Sequence, residues 1–471
     1  MSDYLPEEVW TDIFARLPVK TLLQIRSVCR LFASIISNPT FASAHINKTN
    51  HHSHSQTLFL RYFTEKESHK KENYLLFTTY CCNHKYRIFD DPNCKRLDFP
   101  FKARSGCHFR IVGSCNGLIC LSDDSDFEYS GVILWNPSIK RFLNLPRPWV
   151  TKRKYSSYMF VLGFGYDEKS DDYKVVRVAY IKGRNGRDLI PPEVELYSLN
   201  SRSWRSYNAG SPPYGIFGYP WSQPFVNGAV HWVGYDPCVV KGNESRGVIV
   251  AFDLRDEVFR EVKLPSCLEQ FGWDVSIMAW GNKLAVLQYD YSPHKKYCSV
   301  WVMEEYGVAE SWKKLYDVDL RGGLWKLIGF MRNGEALGVT VRGKLHSFDP
   351  IRLKMKNLGL RSAMDGFHVE SYMESLVLLG AESAAFAPDS IACGNPEEEG
   401  EASDLHEINN RYVEFGEEDL ESFLSLSISE RDYSNYLCVN YDEQRSSAMD
   451  CEECGKKLLS EANHNGWGDK W

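Results

Sequence analysis

From about Leu58 to Leu379 one β-rich unit recurs, and this repetition constrains the fold more than any other feature of the chain. Half of each unit is an alternating strand, a polar turn and a second strand. It appears at residues 132–146 (VILWNPSIKRFLNLP), 194–207 (VELYSLNSRSWRSY) and 248–265 (VIVAFDLRDEVFREVKLP). Residues 299–318 and 344–360 repeat it, and 87–100 form a weaker first copy. Period-2 alternation around Asn/Asp-Pro or Asp-Leu turns reads as a β-hairpin. The other half is an Asn-Gly or Gly-Asn turn feeding an apolar strand, as at 112–121 (VGSCNGLICL), 224–234, 277–287 and 329–339. Turns of that kind match the twist of tightly paired strands. The aromatic anchors Phe89, Trp135, Tyr197, Phe252, Trp301 and Phe348 fall 46 to 62 residues apart. The expected architecture is an all-β propeller of six four-stranded blades over residues 58–380, closed by a strand near 367–379 that joins the first blade. Closure removes the edges that an open sheet would expose. Only Gly322-Gly323 supplies a double glycine, so the units are not strict copies and the blade number stays open.

Residues 1–45 differ. Pro6 suits a first helical position, with Glu7 and Glu8 facing the positive end of the helix dipole. Val9, Ile13 and Leu17 follow at helical spacing, with Phe14 beside them. Pro18 breaks the pattern, and Leu22, Leu23, Ile25, Val28, Cys29, Phe32, Ile35 and Ile36 form a second run that ends at Asn38-Pro39. A segment of about 40 residues is near the lower limit for a self-sufficient core. Its apolar side chains point in more directions than one small core can use, so it is expected to be completed by another protein.

The module resembles an F-box. Leu5-Pro6-Glu7-Glu8, Ile13-Phe14, the Arg-Leu-Pro-Val-Lys turn at 16–20, Val28-Cys29-Arg30 and the Ile-Ile-Ser-Asn-Pro-x-Phe step at 35–41 carry the likeness. Phe32 stands near the place where the family usually has Trp. The repeat region resembles the F-box-associated, kelch-like domain of plant F-box proteins. That likeness rests on Gly-x-x-Asn-Gly-Leu at 113–118, Trp-Asn-Pro-Ser at 135–138 and Gly-Phe-Gly-Tyr-Asp at 163–167, with Asp-Tyr-Lys-Val-Val at 172–176 and Asn-Gly-Ala-Val-His-Trp at 227–232. The resemblance implies a small all-α F-box that docks a Skp-type adaptor, which bridges to a cullin and a RING subunit in an SCF ubiquitin ligase. It also implies a propeller that selects a target protein for ubiquitination and degradation. Adaptor contacts are expected from Leu5, Pro6, Ile13, Phe14, Leu17, Pro18, Leu22, Ile25, Val28, Cys29 and Phe32, some of which must instead pack the module's own core. The alternatives are a propeller scaffold that degrades nothing and, further off, a propeller enzyme.

Charge is unevenly spread. Residues 381–471 hold 22 acidic and six basic side chains, a net of −16, so within a total of −7 the first 380 residues carry +9. The acidic, turn-rich stretch at 395–404 reads as a disordered tail. Residues 46–57 read as a linker. Leu5-Pro6 stands where a secretion leader would run from charged to apolar, and no apolar run approaches the roughly 20 residues that span a bilayer. The expectation is a soluble protein of the nucleus and/or cytoplasm, with no membrane partner and with its 14 cysteines mostly buried thiols. No zinc finger, helix-turn-helix or RNP-like motif accompanies the basic body, so nucleic acid is not expected to bind.

Within a propeller, the longer connections gather at one end, where binding surfaces usually lie. Those connections carry Arg147, Trp149, Arg153, Tyr155, Tyr158, Arg184, Tyr214, Phe217, Tyr219 and Trp221. Aromatic and arginine anchors of this kind suit a protein target, here one of acidic character. No catalytic, cofactor or metal residues are expected. His231 reads as a satisfied core histidine, Gly163-x-Gly165 lacks the following helix of a phosphate loop, and Cys451-x-x-Cys454 lacks a second half.

Overall fold

The computed structural model describes residues 5–52, 55–66, 69–80, 94–101, 109–123, 131–150, 158–182, 188–217, 223–241, 244–268, 275–292, 294–362 and 366–379. Four helices open it: α1 (Glu7–Phe14), α2 (Val19–Ile25), α3 (Arg30–Ser37) and α4 (Pro39–His52). Pro6 and Pro18 are extended residues immediately before α1 and α2, one position earlier than the sequence placed Pro6. The stretch read as a linker, 46–57, is instead the end of α4 and the start of a strand at Ser55, with 53–54 between them. The helix continues because Phe41, His45 and Ile46 are buried along it.

Twenty-five strands follow among the described residues. Blade 1 takes β1 (Ser55–Lys66), β2 (His69–Tyr80) and β3 (Cys94–Leu97). Blade 2 takes β4 (Phe109–Cys115), β5 (Leu118–Asp123), β6 (Gly131–Asn136) and β7 (Arg141–Asn144). Blade 3 takes β8 (Tyr158–Asp167), β9 (Asp172–Lys182), β10 (Asp188–Ser198) and β11 (Ser203–Ser206). In blade 4 the inner position is shared by β12 (Gly215–Ile216) and β13 (Phe225–Val226), ahead of β14 (Ala229–Lys241), β15 (Glu244–Asp253) and β16 (Val258–Val262). Blade 5 is β17 (Val275–Trp280), β18 (Lys283–Asp290), β19 (Tyr297–Met303) and β20 (Trp312–Asp319). Blade 6 is β21 (Leu324–Phe330), β22 (Ala336–Thr340), β23 (Lys344–Asp349) and β24 (Lys354–Arg361). The last strand, β25 (His368–Tyr372), pairs antiparallel with β1 and completes blade 1, so the ring of six closes as expected.

Packing between blades explains the glycine-rich step at 163–167. A Cβ on Gly163 would lie 2.5 Å from Val230, and one on Gly165 would lie 2.3 Å from the Phe225 ring. Trp232 of blade 4, fully buried, donates its indole N–H to the Leu162 carbonyl at 2.9 Å. These glycines admit the neighbouring blade's side chains.

Strand direction alternates within a blade. The turns from first to second and from third to fourth strand therefore share one end of the toroid, and the other connections share the opposite end. The chain enters β1 and leaves β25 at the first end, which is where the helical module sits. Ser43 of α4 donates to both carboxylate oxygens of Asp171 in the β8–β9 turn, at 3.2 and 3.3 Å. After β25, residues 373–379 form a strap over blade 2. Asn136 donates its amide to the Ser375 and Val377 carbonyls at 3.1 and 2.9 Å. Gly117, at φ +80°, leaves room for the strap, since a Cβ there would lie 2.4 Å from the Ser375 hydroxyl. Leu376, Leu378 and Leu379 share one buried cluster with Phe14, Leu22 and Ile36 of the helices and Val112 and Leu134 of blade 2. The module is therefore packed onto the propeller by a continuous apolar core.

Candidate functional site

Two surfaces at opposite ends of the toroid carry the residues singled out in the sequence. The first is the outer side of the helical module. Phe14 and Leu22, 2% and 0% exposed, belong to its core, and Leu17, Ile25 and Phe32 are half-buried. Trp10, Phe14 and Phe32 form an aromatic trio with centroids 4.9 to 5.5 Å apart, so Phe32 fills space within the module. Leu5, Pro6, Ile13, Pro18, Val28 and Cys29 face solvent, with Val28 69% exposed. Val9 and Leu31, not among the expected contacts, join them as exposed large apolar side chains. Their helical spacing was visible, since Val9 and Ile13 lie one turn apart on α1. The propeller thus covers one side of the module and leaves an apolar strip on the other. Covering a fully exposed Leu, Ile or Val contributes about 1.5–3 kcal/mol, and these half-exposed ones somewhat less. A partner that covers the strip gains several such increments.

The second surface is the opposite end of the propeller. Trp149 is 60% exposed, yet its backbone is fixed. Its N–H and that of Val150 both donate to Glu195 Oε1, the latter at 3.1 Å. Glu195 is paired in turn with Arg177 in the blade interior, both nearly fully buried, and the Arg177 guanidinium lies 4.6 Å from the Phe160 ring centre. A buried charge pair so stapled holds the indole out on a rigid support. Arg147 is exposed two residues away. Tyr214 and Phe217 are drawn into the propeller's own packing instead. The Tyr214 hydroxyl donates to Glu261 at 2.8 Å, and burial with that neighbouring carboxylate pushes its pKa up to about 12. Phe217 stacks on Tyr235 with centroids 5.3 Å apart. Tyr158 begins β8, opposite Ile181. Arg153, Tyr155, Arg184, Tyr219 and Trp221 lie outside the described residues.

Two of the long connections, between β9 and β10 and between β14 and β15, are strand extensions. β9 and β10 stay paired out to Lys182 and Asp188, and β14 and β15 out to Lys241 and Glu244. Register shifts between Leu189 and Glu193, and between Asp236 and Val240, take up Pro191, Pro192 and Pro237. With β1–β2, paired out to Lys66 and His69, three tall hairpins rise at this end on blades 1, 3 and 4.

His231 is fully buried, with Nδ1 3.1 Å from the Pro224 carbonyl and Nε2 2.7 Å from the Tyr306 hydroxyl. Burial lowers its pKa to about 4, so at neutral pH one nitrogen donates to the carbonyl and the other accepts from Tyr306. Among the described residues no group of three or more His, Cys, Asp and Glu is arranged to hold a metal. Cys451 and Cys454 lie outside them. No helix among the described residues is long and apolar enough to cross a membrane.

Comparison with known families matches both parts. Residues 3–43 match the F-box domain, and residues 91–331 match the F-box associated beta propeller domain. The chain belongs to the F-box proteins that carry an F-box associated propeller. Among relatives in Arabidopsis thaliana, "F-box protein At3g07870" is 29% identical over 409 residues, covering 77% of this chain and 89% of that protein. "F-box/kelch-repeat protein At3g23880" is 27% identical over 73% of this chain and 89% of its own length. "F-box protein CPR1" is 27% identical over 79% and 89%.

Proposed function

We propose that this protein is the substrate-recognition subunit of an SCF-type ubiquitin ligase, acting in the nucleus or cytoplasm. The observation that carries the reading is the apolar strip of Leu5, Val9, Ile13, Val28 and Leu31, left open on an F-box whose other side is buried against the propeller. A Skp-type adaptor covers the strip and links the chain to a cullin and a RING subunit. The propeller's opposite end, with Trp149 and Arg147 between tall hairpins, captures a protein target. The receptor itself needs no catalytic group. Holding target lysines near a charged ubiquitin carrier converts a rare encounter into an effectively intramolecular transfer.

Co-purification from cells tests the whole reading. The chain should bring down adaptor and cullin together with a target that accumulates when the proteasome is inhibited. Trp149→Ala should lose the target while keeping the adaptor. Capture of a target whose level ignores proteasome inhibition favours the scaffold alternative. Undiminished capture by the Trp149 variant removes this end of the propeller as the binding surface.

A further inference from the structure

The turn between the third and fourth strands has the same form in blades 2, 3, 4 and 6, which exposes one departure. In each, the residue before the fourth strand is left-handed: Lys140, Arg202, Glu257 and Leu353, at φ 51° to 53°. A bulky apolar residue gains nothing from that conformation, which favours Gly, Asn or Asp. Two positions earlier stand Ser138, Asn200, Arg255 and Ile351. Three blades thus place polar residues at both positions, and blade 6 places Ile351 and Leu353 there. These are the two most exposed large apolar side chains among the described residues, at 90% and 74%, and Met355 beside them is 41% exposed. The turn geometry does not require them, because the other blades make it without them.

The patch borders an open edge. Among the described strands, β24 is the outermost of blade 6 and pairs with β23 on one side only. Residues 349–361 carry Arg352, Lys354, Lys356 and Arg361 against a single carboxylate, Asp349, so the edge is basic as well as apolar. The chain holds a segment of complementary pattern. In residues 412–430 there are six acidic residues and no basic one, and Leu424, Leu426 and Ile428 alternate there with Ser425, Ser427 and Ser429. Strict alternation is the pattern of a strand with one apolar face. The described chain ends at Leu379, at the same end of the toroid as the Ile351–Leu353 turn, 45 residues before Leu424. For a chain of 45 residues the general random-coil relation gives a root-mean-square span of roughly 35–40 Å. Tethering at such spans gives effective concentrations on the order of millimolar, enough to hold a contact too weak to form between free molecules.

We propose that residues 423–429 dock on the outer edge of blade 6. They add to β24 as an antiparallel or parallel fifth strand, and their Leu and Ile side chains cover Ile351, Leu353 and Met355. The preceding carboxylates of Glu417, Glu418, Asp419 and Glu421 meet the basic edge. Main-chain hydrogen bonds supply most of the attraction, as in other strand additions, and the alternating side chains set the register. The contact caps an exposed edge that would otherwise pair with other chains, and it is an intramolecular latch that a competing strand could displace.

Hydrogen exchange followed by mass spectrometry on the full-length chain tests this. In the wild type, peptides covering 420–430 and 354–361 should exchange at least about tenfold more slowly than in a Leu424→Ser/Leu426→Ser/Ile428→Ser variant. The double substitution Ile351→Ser/Leu353→Lys copies the turn of blade 2, which keeps the fold accessible, and it should release the 420–430 peptide to the same extent. Protection of blades 2 to 4 should stay constant in both. Random-coil exchange of residues 420–430 in the wild type overturns the proposal, as does protection that survives the blade 6 substitutions. Protection that grows with protein concentration alongside a dimer mass assigns the edge to a second copy and overturns it equally.

Discussion

Asn136 shows how one turn residue can serve both its own blade and the closing of the molecule. Its side-chain oxygen accepts the Ser138 N–H at 3.0 Å and shapes the turn, while its amide bonds the strap 239 and 241 residues away in sequence. The Trp-Asn-Pro-Ser turn was legible, but its second use was not, because no local pattern reports a partner so distant. Asn136→Ala leaves one buried and one part-buried carbonyl without this donor and should cost about 2–3 kcal/mol in urea unfolding. A loss under half a kilocalorie would mean that the strap is held elsewhere. His231 was read as structural, and its two internal partners agree with that. With a folded pKa of about 4 against 6.5 unfolded, its stabilising share is fully present above pH 6.5. It drains away as pH falls toward 4, by roughly 3 kcal/mol at most. His45, also lowered by burial, acts in the same direction. The urea midpoint of the wild type should therefore drop from pH 7 to pH 4.5 by more than that of His231→Gln. Parallel pH profiles of the two proteins would contradict the assignment.

At the scale of the element, hairpins with regular alternation were read correctly, and those interrupted by proline were not. Pro191-Pro192 and Pro237 signal loops because a proline cannot donate to the ladder. The structure places them at bulges, so the strands resume beyond them and the hairpins of blades 3 and 4 rise higher than expected. A bulge between Val300 and Trp301 likewise leaves the blade 5 anchor half-buried, unlike Trp135, Tyr197 and Phe252. The staple beneath Trp149 was invisible because Glu195 looks like an ordinary polar residue of an alternating strand. Its removal tests the support directly. Glu195→Ala strips Arg177 of its buried counter-charge and frees two backbone donors, so it should destabilise the chain by roughly 3–5 kcal/mol. Thermal melts that differ by under a degree would contradict this. Glu195→Gln, which keeps an acceptor, should cost less and still weaken target capture, because the 149–150 segment loses its charged anchor.

For the molecule as a whole, the propeller and the F-box were each legible because their signals are periodic and local. Their union was not. The shared core of Leu376, Leu378 and Leu379 with Phe14, Leu22 and Ile36 joins residues more than 300 positions apart. It divides the F-box residues into buried and exposed sets that the sequence could only pool. The exposed apolar side chains of the helices and Trp149 lie at opposite ends of the toroid, so the proposed adaptor would leave Trp149 accessible. A flexible hinge would separate the two motions, whereas this packed junction predicts that F-box and propeller tumble together in NMR relaxation. The affinity of the full-length chain for a purified Skp-type adaptor tests the role of the open strip most directly. Ile13→Asp/Val28→Asp changes only exposed side chains and should weaken that binding by about a hundredfold or more, with thermal stability retained. Equal affinities for the variant and the wild type, or no adaptor binding by the wild type, would contradict the account.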